Sequence, residues 1–351
     1  MDERVIATLV GIYRAAFDEL VQRLVRAVER GTDTAFLHAQ LIDVMRLLSE
    51  VDAEAQRWIG QHLPEAYRAG QHATLQALQD AGAVSPRLTA SFAGVHRTAV
   101  ELLADNLSAD LSEATALVGR RVQDVYREIA LQTTARMKAT GTLARQGARD
   151  MRDELVSRGL TGFVDGAGRR WRLDDYADMT IRTTVIEAGN LGRVNQLADT
   201  GHDLVRMTEH QPTCPICAVY QGRVYSVSGN DPRYPALYET AFSRGYNIVH
   251  PRCQHSVSPY IEHLADDPAG DQERSAAPFD VDPRSQRQRD AYEAGQRRKR
   301  QLRQDRRQWE RYMLVLPDET PTFSGFRRMK RANSRRWQEL QAAYRESRAV
   351  A

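Results

Sequence analysis

The stretch from Thr208 to Tyr260 reads TEHQPTCPICAVYQGRVYSVSGNDPRYPALYETAFSRGYNIVHPRCQHSVSPY. It holds all three cysteines of the chain, Cys214, Cys217 and Cys253, and three of its nine histidines, His210, His250 and His255, with His202 just upstream. Cys214-Pro-Ile-Cys217 is a CxxC knuckle, whose spacing lets two thiolates meet one ion while the backbone turns between them. His250-Pro-Arg-Cys253-Gln-His255 supplies three further ligands within six residues. Zinc takes four soft or borderline ligands in a tetrahedron, and a Cys3His set makes a closed structural site. The reading is Zn2+ on Cys214, Cys217, Cys253 and His255, with His250 as the alternative fourth ligand. A disulfide fits poorly with three cysteines and no secretory leader. A redox CxxC would open a helix after a strand, whereas Pro212 and Pro215 point to a turn. A catalytic Cys–His pair is conceivable, but adjacency in sequence does not establish its geometry.

Around the two clusters the pattern is mixed. Residues 202–208, 223–227, 246–249 and 256–260 read as short strands, and 234–242 as a short helix, which together make a small α+β module. So little apolar material gains from a metal staple, because metal binding is coupled to folding. The ordered motifs GHDLVRMTEH (201–210), CPxC, QGRVYSVSG (221–229), Tyr234-Pro235 and HPRCQHSVxPY (250–260) resemble the minor capsid protein 2 family of tailed phages, which is related to Mu F-like head-morphogenesis proteins. YADMTIRT (176–183) and the Gln/Arg-rich run 286–311 share the resemblance, which spans roughly Gly162 to Trp309. Many Mu F-like relatives read HPxCRC in the second cluster. Here His255 stands in place of the last cysteine, a swap zinc tolerates. The resemblance implies a low-copy structural protein of the phage head, acting near the portal in assembly or packaging. It also implies portal or major capsid protein as partners, residence in the virion after synthesis in the host cytoplasm, and no enzyme activity.

At 351 residues the chain has room for two domains and a tail, and 42% apolar content supports a core. No run of 18 apolar residues occurs, so neither a membrane helix nor a membrane partner is expected. The opening MDERVIATLVGIYRAAF lacks a long apolar core and does not read as a signal peptide. Net charge is only +3, but it is unevenly placed. From Arg284 onward 19 Lys/Arg face 8 Asp/Glu, a balance of +11, while the preceding 283 residues carry 30 against 38, a balance of −8. That asymmetry points to a polyanion for the C-terminal segment.

Apolar residues at spacings of three and four predict a helix over 3–30, others over 34–63 and 64–82, one through Leu103 and one over 108–140. Pro64 is read as a helix start. Residues 143–159 read as a polar helix, 161–173 as strand, Gly-rich turn and strand, and 174–199 as a helix. The Asp, Pro, Ala and Ser of 266–283 read as a linker. Arg-dense helices are expected over 286–311 and 326–348. The expected fold is mainly α: a helical bundle or array over 1–160, an α+β module with the knuckle over 161–265, the linker 266–283, and a basic helical tail over 284–351.

Three functions compete. The structural head protein has an absent catalytic constellation and the tail charge in its favour. Its DNA contacts would be Arg297, Arg298, Lys299, Arg300, Arg303, Arg306 and Arg307, since phosphate neutralisation needs only clustered cations. A His-Cys-type nuclease would need a histidine base and a second metal, and no acid or amide set at suitable spacing stands out. A zinc-containing nucleic-acid-binding regulator would bind specific sequences through its folded core. No small-molecule substrate is indicated.

Overall fold

Long apolar stripes dictate most of the architecture. The computed structural model describes residues 3–29, 34–137, 162–240 and 250–349. The first stripe forms α1 (Glu3–Glu29), with Leu9, Tyr13, Leu20 and Leu24 fully buried. α2 (Thr34–Asp80) continues straight through Pro64, which had been expected to start a separate helix. The reason is burial: Val51, Ala55, Trp58, Ile59, Leu63, Ala66 and Tyr67 form one unbroken buried stripe across the proline. That stripe outweighs the single ladder hydrogen bond a proline removes. α3 (Val95–Met137) likewise fuses two expected helices, because Leu103, Leu107, Leu111 and Ala114 carry the stripe past Ser108.

β1 (Gly162–Val164) and β2 (Arg170–Arg172) form the expected hairpin, with Phe163 opposite Trp171. The Asp165 carboxylate closes its turn, accepting from the Ala167 and Arg169 amides, the Arg169 guanidinium and the Trp171 indole. α4 (Leu173–Asp199) follows directly. The second sheet has β3 (Leu204–Met207) between β4 (Val224–Ser226) and β5 (Val257–Pro259), antiparallel to both. The expected helix over 234–242 is a single 3-10 turn, Leu237–Glu239. The stretch read as a linker contains α6 (Pro268–Ala276), capped by the Asp267 carboxylate. Its composition suggested a loop, yet Asp271 is buried against Arg206 and Tyr260, and Ser275 caps the Val224 amide.

α7 (Gln286–Val315) is the expected Arg-dense helix. The last expected helix is split into α8 (Phe323–Arg331) and α9 (Arg335–Ala349) at Asn333, whose φ is +43°. These three helices share a buried aromatic cluster. Trp309, Tyr312, Phe326, Trp337 and Leu340 bury one another, and Tyr344 stacks on Tyr312 at 4.2 Å. The expected break at 140–142, polar helix over 143–159 and strand over 246–249 lie outside the described residues. The fold is thus mainly helical with a small sheet module.

Contacts gather the chain into two units. The first comprises residues 1–10, 54–111 and 177–294. Its sheet packs Val205, Met207, Tyr225 and Val257 against Leu78 of α2 and Val194 and Leu197 of α4. Here α2 and α4 cross with backbones touching: a Cβ on Gly70 would lie 2.0 Å from the Gly189 carbonyl oxygen, and one on Gly192 would lie 2.2 Å from that of Tyr67. A buried polar chain runs alongside, in which Asn195 donates to the Tyr67 hydroxyl at 2.7 Å and that hydroxyl meets His96 Nδ1 at 2.8 Å. His96 Nε2 lies 2.7 Å from Asp199. The second unit comprises residues 11–53, 112–176 and 295–351. In it Glu310, the Arg172 and Arg306 guanidinia, Asp174 and Asp18 form one charge network.

Candidate metal centre

The knuckle is a one-turn helix, α5 (Pro215–Ala218). Pro215 presets its first φ, and Cys214 Sγ caps it by accepting from the Cys217 amide at 3.2 Å. Cys217 is buried, and Cys214 half-buried. The second cluster enters from the other end of the module through a left-handed turn. Arg252 has φ +64°, its amide donates to Thr183 Oγ1 at 3.1 Å, and its guanidinium lies 3.3 Å from Asp178 of α4.

The structure brings the five candidate ligands into two overlapping groups that share Cys217. His250 Nε2 lies 3.1 Å from Cys214 Sγ and 3.2 Å from Cys217 Sγ. Cys217 and Cys253 are 3.5 Å apart, and His255 Nδ1 is 3.4 Å from Cys253 Sγ. Two triads result, Cys214–Cys217–His250 and Cys217–Cys253–His255, each with its ligand atoms within 4.8 Å of one another. A tetrahedral zinc with ordinary bond lengths would set S···S near roughly 3.8 Å and S···N near roughly 3.5 Å. The observed separations need only small expansion, so these groups could hold a metal.

Hydrogen bonding orients both histidines toward the thiols. A carbonyl only accepts, so the 2.7 Å contact of His250 Nδ1 with the Pro251 carbonyl places a ring hydrogen on Nδ1 and leaves Nε2 as the nitrogen that faces the thiols. His255 is oriented by Gln221. The His210 amide donates to Gln221 Oε1 at 3.2 Å, which fixes that atom as oxygen. His255 Nε2, 3.1 Å from the same oxygen, therefore carries the hydrogen, and Nδ1 offers its lone pair toward Cys253. This is the orientation of ligating imidazoles by an outer acceptor. His210 itself packs edge-on against His255, with Nε2 on the Gln254 carbonyl, and His202 is tied to Thr200 away from the cluster.

Electrostatics follow the same geometry. The Cys217 hydrogen bond, aided against burial by His250, holds the Cys214 thiol well below its ordinary range. Cys214 in turn raises His250. Cys217, wedged between two sulfurs and buried, is pushed far up. Three thiols and two imidazoles thus share protons that a divalent cation would displace.

Sequence reading did not single out the supports. Asn190 of α4, 1% exposed, donates to the His255 carbonyl at 3.1 Å and accepts from the Val257 amide at 3.3 Å. It thereby pins the end of the second cluster and the start of β5 to α4. Thr208 Oγ1 accepts from the Ser256 amide. Arg284, counted from its charge as the start of the tail, is buried beside the knuckle, donates to the Thr213 carbonyl at 3.0 Å and pairs with Asp282. The only sequence signal for these residues is a polar side chain inside an otherwise apolar helical stripe, as at Asn190.

The proposed DNA contacts on α7 separate into two groups. Arg297, Arg298, Lys299, Arg300, Arg303 and Arg307 are exposed. Arg306 turns inward, pairing with Asp18 and Glu310 and lying over the Trp309 and Phe323 rings.

A mainly helical chain with a small antiparallel sheet and a Cys/His cluster at its edge is the class these observations define. The sequence profile described as phage minor capsid protein 2 matches residues 3–338, and the chain belongs to that family. The match takes in the N-terminal helices, where no family motif is legible by eye. A curated relative, the "Structural protein" of Lactococcus phage LL-H, is 31% identical over 162 residues, which are 44% of this chain and 42% of that protein. The chain therefore aligns with about two fifths of that relative's length. No solved structure matches, and among the described residues no helix is long and apolar enough to cross a membrane.

Proposed function

We propose that the chain is a low-copy structural component of a tailed-phage head, carried in the virion after synthesis in the host cytoplasm. In this reading it sits near the portal, contacts portal or major capsid protein, and acts in head assembly or DNA packaging. One zinc ion closes the sheet module through Cys214, Cys217, Cys253 and His255, with His250 competing for the fourth place. The basic C-terminal segment meets packaged DNA. The observation that carries the reading is the membership of the family across residues 3–338 together with two Cys/His triads that share Cys217. Zinc would supply no chemistry here beyond folding energy, since four protein ligands leave no open position.

Two measurements test it. Cross-linking mass spectrometry on purified heads, with quantification against the major capsid protein, should give cross-links to portal or capsid and a copy number far below that of capsid. Absence of the chain from the particle refutes the structural role. Elemental analysis of untagged protein in reducing buffer should give about one zinc per chain, and a value near zero refutes the metal assignment. If His250→Ala releases the metal and His255→Ala retains it, His250 is the fourth ligand.

A further inference from the structure

We infer that the outward face of α7 carrying Arg300, Arg303, Arg307 and Arg311 grips the phosphate backbone of duplex DNA without contacting bases. The inference rests on the reading that the basic segment meets DNA, and narrows it to four residues and one form of nucleic acid. Spacings of three, four and four put these guanidinia on one face, over about 16 Å of helix axis. All four are exposed, and none has a carboxylate partner among the described residues. The helix carries exposed acids only at its start, Asp290 and Glu293, and the two acids beside the stripe are turned away from solvent. Asp305 points inward to Lys330 at 2.7 Å and Arg327 at 3.4 Å, and Glu310 points inward to Arg172 and Arg306. Over 295–315 the acids are thus consumed inside the fold while the arginines opposite stay charged and outward.

What surrounds the stripe selects the partner. A protein interface is anchored by buried apolar and aromatic groups. The exposed neighbours here are Gln301 and Gln304, and Leu302 is the lone exposed apolar side chain of this helix segment. Single-stranded nucleic acid is held by aromatic platforms. The aromatics that could have served are engaged inside the fold: Tyr312 stacks 5.8 Å from Trp337 and 4.2 Å from Tyr344, and Trp309 packs edge-on against Phe323 at 5.9 Å. Guanidinia alone at regular spacing suit phosphate, which accepts bidentate hydrogen bonds.

The test is fluorescence anisotropy of the full-length chain on two unrelated duplexes and one single strand, each of about 30 nucleotides, between 50 and 200 mM salt. Four neutralised phosphates predict a log–log slope of about −3.6 on either duplex, a loss of roughly 150-fold in affinity over that range. Arg303→Gln with Arg307→Gln should halve the slope to about −1.8, a loss of roughly 12-fold. Arg328→Gln with Arg331→Gln, exposed but on α8, should leave it unchanged. Unaltered circular dichroism of both doubles shows that folding is intact. If the slope instead falls with the α8 double, or the single strand binds tighter, or poly-glutamate competes as well as duplex, the assignment of this face is overturned while the basic segment still binds polyanions. If no form binds any DNA at 50 mM salt, both the assignment and the broader DNA reading fail.

Discussion

Replacing Gly70 by alanine adds one methyl group at the crossing of α2 and α4. That methyl would sit 2.0 Å from the Gly189 carbonyl oxygen, 2.9 Å from its carbon and 3.2 Å from the Arg193 nitrogen. Ordinary contact begins near 3.4 Å, so the helices must part locally by roughly 1.4 Å, because backbone cannot rotate aside as a side chain does. Parting them stretches the 2.7 Å Asn195–Tyr67 hydrogen bond and the 3.3 Å bond from Thr74 to the Arg193 carbonyl. Overpacking of this kind costs about 3 kcal/mol, which for a unit of this size lowers Tm by about 6–12 °C. Gly60 is the internal control. It lies in the same helix, is exposed, and a Cβ there meets nothing within 4 Å. Gly60→Ala should therefore raise stability by up to about 1 kcal/mol, through helix propensity and a less flexible unfolded chain. Thermal unfolding of both variants by circular dichroism gives the answer. Equal melting temperatures for the two alanines would show that the backbones do not touch at this crossing.

Three further outcomes are expected. Asn190→Leu leaves the His255 carbonyl and the Val257 amide buried without a partner, costing about 3 kcal/mol; chelator competition should show metal affinity reduced by about 10- to 100-fold, and unchanged affinity would deny Asn190 any part in placing the cluster. Burial opposes ionisation of Asp305, but Lys330 and Gln301 outweigh it and hold its carboxyl below the usual range. Its folded pKa being depressed, its contribution is complete above the unfolded value of about 3.9 and is lost as pH falls through the folded one. Urea titrations of wild type and Asp305→Asn should thus differ by a constant amount above about pH 5 and converge below about pH 4. A protease site engineered into 138–161 decides whether residues 1–160 fold alone, the sequential division proposed from helical periodicity; the halves should co-elute after cleavage, since Tyr67 and Asn195, like Gly70 and Gly189, lie on opposite sides of the cut, and release of a folded N-terminal fragment would establish that division.

The ligand cluster was legible because its members sit close together in sequence, in two runs of four and six residues whose chemistry is local. The long helices were legible because each repeats one apolar stripe for many turns. What escaped reading depends on partners distant in sequence. Pro64 looks like a boundary until the burial on both sides of it is known. Gly70 and Gly192 look like weak points in helices, and only the opposing backbone turns them into contact points. Residues 266–283 have a linker's composition, yet Asp271 and Ser275 find Arg206 and Val224 to satisfy them. The C-terminal aromatics were compatible with base stacking or protein docking, and their mutual stacking is a tertiary fact.

The make-up of the first compact unit carries a consequence for biosynthesis. It needs residues 54–111 and also 177–294, so α2 and the start of α3 leave the ribosome roughly 180 residues before their last partner strand and helix. At about 5–20 residues per second, that interval lasts on the order of 10–40 s. During it Leu63, Tyr67 and Leu78, buried in the finished fold, lack their later partners in the nascent chain. Chaperone demand should therefore peak in the second half of translation. Within that unit the strands around the cysteines are made after the helices they cover, so the surface on which α2 rests arrives late in synthesis.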